Sequence, residues 1–131
     1  MCLTPAAYDR LTQVVHLYLT VADPSRVSLE PHERQLAVHL SRQWEPDTPL
    51  HDVEAIVDTA YVAARSGLRP DVGEVAEEVC RLFPPSDTHR LLKDLGLMAA
   101  ADGHLTQHEA EVIGRVRAAF RTARRPPDAA A

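Results

Sequence analysis

Two short stretches of this chain combine carboxylates and imidazoles at a spacing that suits a divalent cation. In one, Asp102-Gly103-His104 runs into Leu105-Thr106-Gln107-His108-Glu109; in the other, Asp23 precedes Leu29-Glu30-Pro31-His32-Glu33. Carboxylate oxygens and imidazole nitrogens together serve Zn²⁺, Mn²⁺ or Ca²⁺, according to geometry. The candidate metal ligands are therefore Asp102, Glu109, Asp23, Glu33, His104, His108 and His32. A purely structural account is also available. Asp102 and Gly103 make a turn that ends one helix, and Thr106 with Glu109 three positions on forms a capping box that starts the next. That account leaves one oddity. Glu109 shares a helical face with Leu105, Val112 and Ile113, so its carboxylate points toward the fold. A buried carboxylate must be protonated, hydrogen-bonded or paired with a cation.

The two stretches align at a constant interval. Leu29, His32 and Glu33 are identical to Leu105, His108 and Glu109, an offset of 76 (105 − 29 = 76). Leu36, Ala37, Leu40 and Trp44 then fall opposite Val112, Ile113, Val116 and Phe120. The pattern reads as a two-fold internal repeat of helix, acidic turn and helix, with Trp44 and Phe120 as equivalent core aromatics. A calcium EF-hand is a poor fit. Asp102, Gly103, Leu105 and Glu109 match loop positions five, six, eight and twelve, but positions one and three would be Met98 and Ala100, which have no side-chain oxygen. His104 and His108 have the i, i+4 spacing of zinc ligands on a helix, yet His104 precedes the Thr106 cap and so lies outside that helix.

The residues Ala101-Asp102-Gly103-x-Leu105-x-x-x-Glu109, with Ile113, Val116 and Phe120 behind them, resemble the tellurite-resistance TerB-like family. The stretch from about Tyr8 to Phe120 is compatible with that family's all-helical fold and paired halves. The first half departs from the motif: Pro24 stands where glycine is expected, and the link to Leu29 is longer. The resemblance implies a bacterial stress-response role of the tellurite-resistance type, with acidic turns that chelate metal and action through protein partners.

The elements that must position these residues are helical throughout. Thr4-Pro5 starts a helix carrying Tyr8, Leu11, Val14, Val15, Tyr18 and Val21, which ends near Asp23-Pro24. A second runs from about Pro31 to Trp44. The third spans about Leu50 to Arg65, with Gly67 as its stop. Pro70-Asp71 opens a fourth, whose inner side is Val72, Val75, Ala76, Val79, Leu82 and Phe83. After Pro84-Pro85, Ser86 or Asp87 caps a fifth that reaches Ala101, and the sixth follows Thr106. No alternating strand pattern occurs. The expected fold is all-α: a single bundle of roughly six helices with an internal two-fold repeat, covering residues 1–123, and a disordered tail over 124–131.

Composition narrows the function. The chain has 131 residues, 45% of them hydrophobic, and only five glycines, which suits one folded helical domain. A net charge of −5 argues against nucleic acid as the main partner. No apolar run spans a bilayer and no basic-apolar leader opens the sequence, so a cytoplasmic protein without direct membrane insertion is expected. Cys2 and Cys80 read as reduced thiols, Cys80 as a small core residue. His16, His39, His51 and His89 read as ordinary histidines. Arg115, Arg117, Arg121, Arg124 and Arg125 make the last helix basic, through the helix dipole or for an acidic or phosphate-bearing partner, whereas the middle helices are acidic. No nucleophile-base pair or phosphate-cradling glycine loop is present, so the chain is not expected to be an enzyme. The expected function is therefore a divalent-metal-binding stress-response domain that acts on other proteins. The alternatives are a metal-free helical interaction module and, less directly, a metal-dependent enzyme.

Overall fold

Thr4 and Pro5 begin the first helix as their side chains dictate. The Thr4 hydroxyl accepts a hydrogen bond from the Ala7 N–H at 3.1 Å, and Pro5, with no N–H to satisfy, takes the first turn. In the computed structural model, which describes residues 4–21, 31–68, 71–100 and 107–124, this is α1 (Pro5–Tyr18), continued by a 3₁₀ turn at Leu19–Val21. The other helices are α2 (Pro31–Arg42), α3 (Leu50–Arg65), α4 (Val72–Leu82), α5 (Pro85–Ala99) and α6 (Gln107–Arg124). The described residues contain no strand, and the all-α bundle of six helices is what the periodicity predicts.

Local chemistry explains most helix ends. Gly67 takes φ +77°, the left-handed conformation that closes α3. With it, Leu68 N–H reaches the Ala63 carbonyl at 2.9 Å and Gly67 N–H the Ala64 carbonyl at 3.2 Å, the paired bonds of a Schellman end. Asp71 caps α4 by accepting from Gly73 N–H at 2.9 Å. The end of α4 is capped from a distance: Arg124, in the last turn of α6, donates to the carbonyls of Cys80 at 3.2 Å and Phe83 at 2.6 Å. Those are among the carbonyls that a helix end leaves without intrahelical donors.

Four boundaries differ from expectation. The second helix stops at Arg42 and not at Trp44, because Pro46 has no N–H to continue the ladder and pushes the preceding residue out of the helical region. The chain tightens there into turn bonds, Trp44 N–H to Ser41 O and Glu45 N–H to Arg42 O, each 3.1 Å. The fifth helix begins at Pro85 behind Pro84, which has no side-chain oxygen to accept, so neither Ser86 nor Asp87 is its cap. Its regular part ends at Ala99. The 3₁₀ turn replaces the last turn expected of α1. Asp23-Pro24, the Asp102-Gly103 turn, the Thr106 cap and the tail beyond Arg124 lie outside the described residues.

The core is one cluster centred on α1. Leu11, Val14, Val15, Leu17 and Tyr18 are fully buried, and α2, α3, α4 and α5 all pack on that helix. α4 also lies against α6, α3 against α2, and α5 against α6. Tyr8 departs from the predicted stripe. It is 50% exposed, beside a cleft of about 430 Å³ where Thr12 of α1 faces Ile56 and Ala60 of α3. Charge pairs tie the surface together. Arg34 of α2 grips Asp58 of α3 through two bonds of 2.8 and 2.9 Å and reaches Glu54 at 3.2 Å, which holds the Asp58 carboxyl below the usual carboxylate range. Arg10 pairs with Glu45, joining α1 to the turn after α2. The acidic middle of the chain is thus partly neutralised from α2.

The expected core aromatics are not equivalent. Phe120 is 4% exposed, whereas Trp44 is partly buried at the edge of the core. Emptying a full core site costs transfer energy plus a cavity, roughly 3–5 kcal/mol for a phenylalanine. Phe120→Ala should lower unfolding free energy by that amount in urea titration, and Trp44→Ala should cost less.

Candidate functional site

The acidic candidates sit at the start of α2 and α6. Glu33 is the third residue of α2 and Glu109 the third of α6, and both are half-buried. Each already engages a partner within the protein. His32 is exposed at the start of α2, and His108 is the second residue of α6. Asp23, Asp102 and His104 lie outside the described residues. Among the described residues no three histidine, cysteine, aspartate or glutamate side chains gather closely enough to hold a metal. Glu33, Glu109 and His32 offer the right donor chemistry for a divalent ion, but a full ligand set needs residues of the two acidic links.

Some of the elements flanking those links pack together. The 3₁₀ turn after α1, which leads into the first link, packs against both α5 and α6. Tyr18, the last residue of α1, touches Asp94, the tenth residue of α5. Glu33 of α2 and Glu109 of α6 lie 76 residues apart (109 − 33 = 76), the offset of the sequence match.

The contact between Tyr18 and Asp94 belongs to a polar network that the sequence reading missed. Tyr18 donates its hydroxyl to Asp94 Oδ2 at 3.0 Å, and Trp44 Nε1–H donates to the Tyr18 oxygen, also at 3.0 Å. The Trp44 ring meets Phe83 edge-on at 5.3 Å between centroids, and the Arg90 guanidinium lies 4.5 Å from the Trp44 centroid. Arg90 is steadied there by a 2.8 Å bond to Gln43 Oε1. Tyr18 is fully buried and Asp94 only 6% exposed. Burial pushes the Tyr18 phenol far above its ordinary value of 10.0, against the opposing Trp44 hydrogen bond, with Asp94 adding to the rise. A signal for Asp94 was present: it falls with Leu91, Leu95 and Met98 at i, i+3, i+4 and i+7 on the apolar stripe of α5. This network ties α1 and α5 to the turn after α2 and the end of α4, which is a structural role.

Cys80 is structural as well. It is a free thiol packed beside the core, and burial raises it above its usual range despite the nearby Arg124. A thiol so placed is a poor nucleophile.

An all-α bundle with paired glutamates at the starts of two helices is the class that fold and site define. Within that class, the family described as "Tellurite resistance protein TerB" matches residues 12–130. The chain belongs to that family. No curated protein and no solved structure matches it. Among the described residues no helix is long and apolar enough to cross a membrane.

The Tyr18 phenol gives a test of the network. The unfolded chain ionises Tyr18 near pH 10, while the buried phenol keeps its proton to much higher pH. Above pH 10 the unfolded state therefore binds fewer protons, and stability falls by up to about 1.4 kcal/mol per pH unit from this group. Tyr18→Phe should be less stable than wild type at pH 8, by roughly 1–3 kcal/mol, because Asp94 loses its donor. Urea titrations at pH 8 and pH 11 should show that deficit shrinking with pH.

Proposed function

We propose that this chain is a stress-response domain of the tellurite-resistance type that takes up a divalent cation at its two acidic turns and works through protein partners. The observation that carries the reading is the matched pair of half-buried glutamates. Glu33 of α2 and Glu109 of α6 lie 76 residues apart, the offset of the sequence match, and both are half-buried. Tyr18 and Asp94 are separated by the same interval (94 − 18 = 76) and touch. Positions equivalent in two halves meet directly only beside the axis that relates those halves, so this contact supports a pseudo-two-fold arrangement. About such an axis Asp23 and Glu33 would approach Asp102 and Glu109 at one pole. Asp102 and Glu109 would be the principal ligands, joined by Asp23, Glu33 or one of His32, His104 and His108. Family membership supports the cellular role.

A second reading has its own support. Glu33 and Glu109 already have partners, as structural carboxylates do, and the cleft between α1 and α3 is flanked by exposed Tyr8 and Leu68. On that reading the protein is a metal-free helical interaction module without catalytic activity.

Cation binding to the folded state alone adds about 2.7 kcal/mol at a hundredfold excess over Kd. For a chain of this size that raises Tm by roughly 10 °C. Thermal melts of metal-stripped protein with Zn²⁺, Mn²⁺, Ca²⁺ or Mg²⁺ should show such a rise for at least one ion, and Asp102→Asn/Glu109→Gln should abolish it. Equal responses from wild type and variant would leave the interaction module as the function.

A further inference from the structure

The far end of α6 carries a second candidate site of opposite charge. A cleft of about 380 Å³ opens between the start of α5 and the end of α6. Arg117, Arg121 and Arg124 line it from α6, at i, i+4 and i+7, so they share one face of that helix. His89 faces them from α5, and Leu92 and Phe120 supply apolar surface. Its lining residues on α6, from Arg117 to Arg124, lie about 12 to 22 Å along that helix from Glu109, at 1.5 Å per residue, so the cleft is separate from the acidic pole.

Helix-dipole complementarity accounts for basic residues at a helix end, but not for how these are disposed. Among the described residues neither Arg117 nor Arg121 has a carboxylate partner, whereas Arg10, Arg34 and Arg81 are each paired. Arg124 spends its two terminal nitrogens on the Cys80 and Phe83 carbonyls, and its Nε–H is buried without an acceptor among the described residues. A buried donor left unanswered is uncommon in a folded protein. The first turn of α5 also borders the cleft, but Pro85 has no N–H and the Asp87 and Thr88 N–H groups already donate to the Pro84 carbonyl at 3.0 and 3.3 Å, so side chains must supply the donors. Asp87, the acidic residue in that first turn, does not line it. The Thr88 hydroxyl is already donated to the Pro85 carbonyl at 2.8 Å, which leaves the arginines and His89 as side-chain donors.

We propose that this cleft binds a small phosphate monoester. Arg117 and Arg121 hold the dianion in forked, charge-assisted hydrogen bonds, Arg124 adds charge behind them, and the organic group lies on Leu92 and Phe120. A phosphate dianion suits the paired forks better than a single carboxylate does, and the apolar wall distinguishes an ester from the free ion. The site does not depend on the metal reading.

The probes are phenyl phosphate and inorganic phosphate, titrated into ¹⁵N-labelled full-length protein at low ionic strength with EDTA present. Phenyl phosphate should give saturable shifts at the amides of Thr88, His89 and Phe120 and should bind several-fold more tightly than inorganic phosphate. Arg117→Ala/Arg121→Ala should weaken it at least tenfold while leaving Tm unchanged, since both side chains are exposed. Arg115→Ala, on another face of α6, should bind as wild type. Absence of saturable shifts, or binding that survives the paired substitution, would overturn the site. Equal weakening by Arg115→Ala would reduce it to general charge attraction and overturn it too. Equal affinity for the two probes would overturn the assignment to a monoester.

Discussion

The hydroxyl of Tyr18 sets the constraint on which the bundle depends. α1 buries Leu11, Val14, Val15, Leu17 and Tyr18 completely, so its neighbours must cover a wide apolar arc. A phenol in that position brings a polar oxygen into a region without water, and leaving it unpaired would cost more than one good hydrogen bond gains. The fold answers with two partners from distant parts of the chain: Asp94 accepts from the hydroxyl and Trp44 donates to it. Apolar packing alone would let α1 slide or rotate against α5 with modest loss. A directional pair at 3.0 Å on each side of one oxygen allows far less freedom.

The network then reaches outward. Trp44 must stand where its N–H meets Tyr18, which places its ring against Phe83 and under Arg90. Phe83 in turn presents the carbonyl that Arg124 caps from α6. The turn after α2, the α4–α5 junction and the end of α6 are therefore linked through a series of contacts that begins at one buried oxygen. Arg10 and Glu45 fasten the same turn to α1.

Much of the fold was legible because helix punctuation is local chemistry. Thr4-Pro5, Gly67 and Asp71 each act within three residues of their own position, and the helices start or stop there as read. The end of α2 was less legible, since Trp44 continues the apolar spacing while the residue that ends the helix, Pro46, lies beyond it. Asp94 was legible as a polar residue on an apolar stripe, but its meaning was not. Its partner stands 76 residues away, and only tertiary structure brings it close. The candidate ligands divide in the same manner. Glu33 and Glu109 stand half-buried on helices, where periodicity speaks to their orientation. Asp23, Asp102 and His104 lie outside the described residues.

The two ends of α6 show how one helix serves opposite charges. Its first turn holds Glu109, at the end where the helix dipole favours a negative side chain. Its last turns hold Arg117, Arg121 and Arg124, where the carbonyls favour positive charge. The dipole makes each placement tolerable on its own, so charge alone would not mark either end as functional. The difference lies in what the surrounding structure leaves unspent. At the first end the carboxylate is already engaged. At the other, two arginines have no carboxylate among the described residues and a third has a buried N–H without an acceptor, beside an apolar wall. Donors gathered on one face without their complement are a stronger sign of a ligand than net charge is, because a protein with a surplus of acidic groups had partners to offer and, among the described residues, places none there.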